Sequence, residues 1–254
     1  MRALPLGASD SRLEFDLAPG VRKVPPAAEA FGIRMRELTT SNLDALKDLI
    51  RKEGRHVDVD LEDAAVERLA RFAVLFLKWN ERINLASIDG PEEMVARHYV
   101  DSYVASRFVP PDSRIIDVGS GGGLPALPLA SFRGDILLEC FEPIHKKAAF
   151  LRTAIRELGL GHRVLVRGEA VDLPVPPSLA FAADVAMSRA TLEPAAWLQL
   201  GRALVRPGGR VLVFTTAHSE GTLPAAREGL SYIRNRRLLC YDSPGRPSDV
   251  PRGT

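Results

Sequence analysis

The sequence predicts an α/β fold of the Rossmann-like kind, a mostly parallel sheet with helices on both faces, behind an N-terminal helical layer. Three features say so. From Arg114 onward, short β-branched apolar runs alternate with stretches of helical periodicity, the pattern of βαβ units and a parallel sheet. The first run, Arg114-Ile115-Ile116-Asp117-Val118, passes straight into Gly119-Ser120-Gly121-Gly122-Gly123-Leu124-Pro125, a buried strand entering a tight turn. Upstream, about 65 residues show helical spacing and no strand signal.

Residues 1–40 mix Pro, Gly and charge without periodicity, and Val24-Pro25-Pro26-Ala27 interrupts any regular element. They are expected to be a disordered extension. Residues 41–110 form the helical layer. Ser41-Asn42-Leu43-Asp44 offers N-cap residues for a helix to about Lys52. Leu61, Ala65, Leu69, Phe72, Phe76 and Ile83 recur at helical spacing with charges opposite, marking an amphipathic helix packed on something. A third helix is expected over about Pro91–Phe108. Residues 111–242 hold the sheet, with strands expected at Arg114–Val118, Ile136–Phe141, Arg163–Arg167, Ala183–Ser188 and Gly209–Thr215. The helices between them run about Leu124–Ser131, His145–Leu158 and Pro194–Leu204. Pro207-Gly208-Gly209 reads as a turn into the fifth strand.

Beyond Thr216 the signal fades. Tyr232-Ile233 and Leu238-Leu239-Cys240-Tyr241 offer at most one more strand, and Asn235-Arg236-Arg237 interrupts the run. Pro244, Pro247 and Pro251 each lack a backbone donor for a partner strand. The sheet is therefore expected to end in an unpaired or weakly paired edge beyond the fifth strand, with residues 243–254 a mobile tail.

The spacing of the glycines narrows the ligand. Glycine has no Cβ, so the backbone can take φ > 0 and let a ligand lie against it. Pro125 suits the first turn of a helix, where its missing N–H costs nothing. A dinucleotide fingerprint with Gly119 and Gly121 in place needs Gly at position 124, where Leu124 stands. No Lys-Ser/Thr pair follows, so a P-loop is excluded too. Glu142 ends the next apolar run, 23 residues beyond Gly119, where an acid can bind ribose hydroxyls. A ligand with a ribose and no pyrophosphate fits best, and S-adenosylmethionine is such a ligand. The alternative is an ordinary turn with a solvated Glu.

Composition sets outer limits. The chain has 254 residues, 46% apolar and 26% charged, with a net charge of +2. Nucleic-acid binding must then come from a local patch. Arg97, Lys146, Lys147, Arg152 and Arg189 are the candidates near the carboxyl edge of the sheet. Cys140 and Cys240 are the only cysteines and lack metal-ligand spacing, so no metal is expected and a reduced, cytoplasmic setting is. The first residues hold no apolar core of signal-peptide length. The longest apolar run, Phe72 to Leu77, is far too short for a membrane span. A monomer is expected.

Five motifs in order resemble one family. Trp79-Asn80-Glu81-Arg82-Ile83-Asn84-Leu85, Pro91-Glu92-Glu93-Met94-Val95-Ala96-Arg97-His98 and Asp101-Ser102 are similar to the N-terminal signature of the glucose-inhibited division protein B (RsmG) family. Asp117–Pro125 resembles its cofactor loop and Lys146–Arg152 its second helix. Arg167-Gly168-Glu169 and Ser188-Arg189-Ala190 resemble the ends of its third and fourth strands. The resemblance covers about residues 60–216. It implies a class I methyltransferase fold and methyl transfer from S-adenosylmethionine to N7 of a guanine in 16S ribosomal RNA, with the RNA or the small ribosomal subunit as partner. It places cofactor contacts on Gly119, Gly121, Gly123, Leu124, Glu142, Gly168, Glu169 and Arg189. Two departures bear on the substrate: Thr215-Thr216 stands where the family usually has Lys-Gly, and the C-terminal residues that would form a closing hairpin are short and proline-rich.

N7 of guanine carries a lone pair and no hydrogen, so no general base is required and no catalytic proton-transfer residue is named. Alignment and electrostatic support remain. Arg189 can meet a cofactor carboxylate, a phosphate or the guanine edge; a surface ion pair with Glu169 or Glu193 is the plainer alternative. Lys146, Lys147 and Arg152 contact phosphates or are simply a solvated face. His98 and Asp101 read as a structural pair joining helix to sheet, and Trp79 as core. Two other functions stay open: a paralogue acting on a small molecule or protein, and a non-catalytic ribosome-binding relic.

Overall fold

The computed structural model describes residues 21–23, 40–216, 223–233 and 235–243. The five expected strands form as β2 (Arg114–Val118), β3 (Leu137–Phe141), β4 (Val164–Arg167), β5 (Ala183–Ser188) and β6 (Val205–Thr216). Three others join them, β1 (Val21–Lys23), β7 (Glu228–Tyr232) and β8 (Arg236–Asp242). All eight make one sheet in the order β1-β7-β8-β6-β5-β2-β3-β4. Pairings from β6 to β4 are parallel, and β8 runs antiparallel to both β6 and β7. The chain steps from β2 outward to β4, then returns to β5 on the other side of β2. That reversal opens a crevice at the carboxyl ends of β2 and β5.

Successive side chains along the central strands point to opposite faces and are buried on both, so each face has its own core. Ile115, Val185 and Leu212 face one layer, while Ile116, Ala186 and Val213 face the other. The first layer holds α1 (Thr40–His56), α2 (Asp63–Ile83), α3 (Pro91–Glu93), a π-helical turn (Met94–Tyr99), α4 (Val100–Ser106), α5 (Ala126–Phe132) and α6 (His145–Glu157). The other layer holds α7 (Pro194–Leu204). In α2 the predicted stripe is buried, and Phe72 and Phe76 meet Phe150 of α6 at ring separations of 6.3 and 5.8 Å. The third expected helix is continuous in backbone path, but its middle widens into the π turn.

The structure corrects the reading of the C-terminal part. The sheet does not end in a weakly paired edge: β8 pairs with β6 over seven residues, from Arg210↔Asp242 to Thr216↔Arg236, and β7 pairs with β8 in turn. Asn235 lies in the turn of this closing hairpin, and Arg236-Arg237 begin β8 instead of breaking it. A charged start is tolerated because the partner of Arg236 is a buried carboxylate 135 residues earlier, which no local pattern shows. Ser243 is buried and its N–H donates to Gly209 O at 2.7 Å; the rest of the expected mobile tail lies outside the described residues. Pro207-Gly208-Gly209 is a bulge within β6, not a turn before it, since Ala183 pairs with Val205 and Val185 with Arg210. Within the expected disordered extension, Val21–Lys23 is a strand parallel to β7. The outer edge of β7 presents unpaired backbone groups, which these three residues satisfy; the other residues of 1–39 lie outside the described ones. No described helix is long and apolar enough to cross a membrane.

Candidate cofactor and substrate site

β2 ends at Val118, and the chain then hydrogen-bonds sideways to β3: Gly119 N and Ser120 N both donate to Phe141 O, at 2.8 and 3.1 Å. Gly123 N donates to Ser120 O at 2.7 Å and closes the turn. Gly119 has φ +70°, and a Cβ there would lie 2.3 Å from Thr191 Oγ1. Only glycine lets this loop lie against the segment after β5. A Cβ on Gly122 would lie 2.5 Å from a ring carbon of Phe76, so the N-terminal helical layer is the floor of the loop. Pro125 precedes α5 as its cap instead of sitting in its first turn.

Glu142, directly after β3, is 3% exposed. Its Oε2 accepts from Gly121 N at 2.7 Å and its Oε1 from Ile144 N at 2.8 Å. The acid thus clamps the glycine loop to the start of α6, and each oxygen keeps a lone pair for a further donor. Beside it a cleft of about 360 Å³, part of it open to solvent, runs between the ends of β2, β3 and β5. Its walls include Val118, Phe141, Val171 and Leu192, with Glu169 and Asp172 on the rim. Apolar walls, an acidic rim and a buried carboxylate nearby fit the adenosine of S-adenosylmethionine.

Of the sequence-derived cofactor residues, Gly119 and Glu169 line this cleft; Glu142 does not line it but falls in the chain between Phe141 and Pro143, which do. Gly121 is open to its surroundings, with φ +55°. Gly168 is exposed beside the Arg152 guanidinium. Gly123 and Leu124 are turned into the core, Gly123 against Leu127 and Leu151. Their part is to hold the loop. Sequence reasoning passed over Asp117, which is 1% exposed, with Oδ2 lacking any hydrogen-bond partner. Burial raises its pKa to about 7. An acid inside the apolar run of β2 was the available signal.

Arg189 follows β5, and Nη1 of its guanidinium meets Asp101 Oδ2 and His98 Nδ1, each at 2.7 Å. The plainer alternative, a surface ion pair with Glu169 or Glu193, gives way to a buried network. Asp101, 1% exposed, also accepts from Tyr232 OH at 2.8 Å and from Arg236 Nη1 at 3.0 Å. Arg236 Nη1 further donates to Arg97 O at 2.6 Å. Burial and the adjoining Arg189 lower the His98 pKa to about 4, so the ring is neutral and its Nδ1 free to accept. His98 and Asp101 do join helix to sheet, with Arg189 as the link. Thr191, two residues on, donates from Oγ1 to Gly119 O at 3.3 Å, which sets Arg189 between the network and the glycine loop.

The candidate RNA-facing cations fall into two groups. Lys146, Lys147 and Arg152 stand on α6 on the β3–β4 side, with Lys146 and Arg152 exposed and Lys147 half-buried. Arg97 and Arg189 stand on the β5–β8 side, and Arg97 forms an ion pair with Glu93. Trp79 packs on Phe150 at a ring separation of 5.6 Å, a core role as expected.

The GidB family model, described as rRNA small subunit methyltransferase G, matches residues 65–238. The ribosomal RNA small subunit methyltransferase G of Anaeromyxobacter dehalogenans (strain 2CP-C) is 38% identical over 154 residues, 60% of this chain and 70% of that protein. Its namesake from Burkholderia multivorans (strain ATCC 17616 / 249) is 31% identical over 208 residues, 80% of this chain and 90% of the other. The family match runs from the first turn of α2 to the middle of β8 and takes in the glycine loop, Glu142, the cleft and most of the Asp101 network. This chain belongs to the GidB family, the S-adenosylmethionine-dependent rRNA small subunit methyltransferases G.

Proposed function

We propose that the protein methylates N7 of a guanine in 16S ribosomal RNA. The observation that carries this reading is the cleft at the β2–β5 reversal, lined by a glycine loop that Glu142 clamps, with Arg189 fixed on Asp101 just after β5, inside a chain of this family. Glu142 would hold the ribose hydroxyls and the apolar walls the adenine. S-adenosylmethionine, when bound, supplies an electrophilic methyl group on a sulfonium.

The chain's own task is placement. The N7 lone pair lies in the base plane and has no proton to lose, so no side chain must remove one. The chain must bring the guanine edge into line with the methyl and exclude water, so that alignment and electrostatic support carry the acceleration. Arg189 would offer N–H donors to guanine or to a flanking phosphate. Lys146, Lys147, Arg152 and Arg97 would hold the RNA backbone. The neutral His98 and the buried Asp117 belong to the support of the site.

The decisive test is the state of the RNA. Small ribosomal subunits from a deletion strain should lack one N7-methylguanine and regain it on incubation with the purified protein and S-adenosylmethionine. Unchanged N7-methylguanine in the deletion strain, or methyl transfer to a protein or small molecule instead, overturns the reading.

A further inference from the structure

The hairpin β7–β8 supplies two polar side chains to the edge of the sheet that the cofactor site does not use. Thr216, the last residue of β6, pairs with Arg236, so the hairpin turn lies at the same edge as the carboxyl ends of the parallel strands. There Tyr232 OH and Arg236 Nη1 both donate to Asp101. Asp101 is thereby held by its own helix, by the end of β5 through Arg189, and by the hairpin. His98 Nδ1 and Asp101 Oδ2 grip the same nitrogen of Arg189. The Arg189 side chain keeps 19% exposure, and Thr191, two residues on, is hydrogen-bonded to Gly119 O of the glycine loop.

Fold stability does not call for this arrangement. A buried ion cluster is seldom more stabilising than apolar groups of the same volume, and β7–β8 already buries Leu230, Leu238, Leu239, Cys240 and Tyr241. What a three-way grip on one carboxylate does provide is a fixed direction for the side chain it binds.

We propose that Tyr232 and Arg236 are positioning residues, which through Asp101 aim Arg189 at the substrate edge of the site. This rests on the reading of Arg189 as facing the substrate. The hairpin then does more than close the sheet. It aligns a group whose direction matters for in-line methyl transfer, although neither residue touches the reacting atoms.

A double-mutant cycle tests it. Tyr232→Phe keeps the ring and removes one donor; Arg236→Gln removes a second. Each should lower kcat for methylation of small ribosomal subunits roughly tenfold, with the Kd for S-adenosylmethionine by calorimetry within about twofold of wild type. In an Arg189→Lys background neither change should slow transfer further, because the residue they aim has gone. Equal losses in both backgrounds, or a lowered melting midpoint with unchanged kcat, overturn the proposal. An Arg189→Lys protein as fast as wild type overturns it as well. A second readout needs no activity: the Nε–H NMR resonance of Arg189, identified by its loss in Arg189→Lys, should shift in Tyr232→Phe. An unmoved resonance refutes the positioning role even if wild-type protein transfers no methyl to the subunits, the result that would defeat the proposed function instead.

Discussion

The glycine loop and the Asp101 network flank the same edge of the sheet and are built by opposite means. The loop is a backbone object. Its shape comes from positive φ at Gly119, Gly121 and Gly123 and from N–H groups on Phe141 O and Glu142, all within 24 residues of chain. The network is a side-chain object. His98, Asp101, Arg189, Tyr232 and Arg236 come from elements up to 138 residues apart, and none has a positive φ. A site can therefore be half written in local sequence and half in tertiary contact. The two halves should fail differently.

The largest effect is expected on the network side. Asp101→Ala would leave Arg189 and Arg236 facing each other without the carboxylate between them, and breaking a buried pair in this way costs about 3–5 kcal/mol. Urea unfolding should show that loss; a loss under about 1 kcal/mol would mean the network is far more solvated than its burial implies. On the loop side the damage should fall on binding. Glu142→Ala removes the acceptor of Gly121 and Ile144 together with the acid proposed to hold the ribose, and should weaken S-adenosylmethionine binding by roughly 1.5–3 kcal/mol, the range for charge-assisted hydrogen bonds. Calorimetry that finds an unchanged affinity would place the ribose elsewhere.

This contrast also explains what the sequence disclosed. β2 to β6, α2, α6 and α7 were legible because apolar runs and helical stripes are short-range patterns. Gly119 and Glu142 were legible because loop and acid recur at fixed offsets along βαβ units. β7 was missed because Gly229 and, less so, Glu228 are weak strand formers, and the start of β8 was misread because Arg236 reads as a break until Asp101 is brought beside it. Arg189 was legible at the end of β5 as a group facing cofactor or substrate, but its partner Asp101 lies 88 residues upstream, where no local pattern points to it. Asp117 was passed over because an isolated acid in an apolar strand carries no period.

A pH experiment sharpens the comparison, since each side holds one group displaced by burial. His98 in the network has its pKa lowered to about 4 from 6.5. Between those values the unfolded chain binds more protons, so this group's contribution to stability is lost as pH falls. Asp117 beneath the loop has its pKa raised to about 7 from 3.8. There the folded chain binds more protons, and stability is gained as pH falls. From pH 7 to pH 5 each amounts to about 2 kcal/mol by linkage, with opposite signs. Asp117→Asn should therefore lose about 2 kcal/mol more than wild type over that interval, and His98→Gln should lose about 2 kcal/mol less. Parallel pH profiles for all three proteins would show that neither group is as enclosed as the geometry indicates.

The smallest effect concerns which side holds the RNA. Lys146 and Lys147 begin α6 next to the loop, and neither forms an ion pair among those described. Arg97, beside the network, is already paired with Glu93. A cation neutralised by a neighbour releases fewer counterions from a phosphate than an unpaired one, so the two sides should differ in salt dependence more than in affinity at any one salt. Each phosphate contact to single-stranded RNA contributes a slope of about −0.7 in log K against log salt. Lys146→Gln with Lys147→Gln should flatten that slope by about 1.4 for binding to small ribosomal subunits, and Arg97→Gln by less than about half a unit. Cofactor affinity should hold steady in both, because none of the three lines the cleft. A steeper loss from Arg97 than from the lysine pair would move the RNA to the network side and make the hairpin, not α6, its main support.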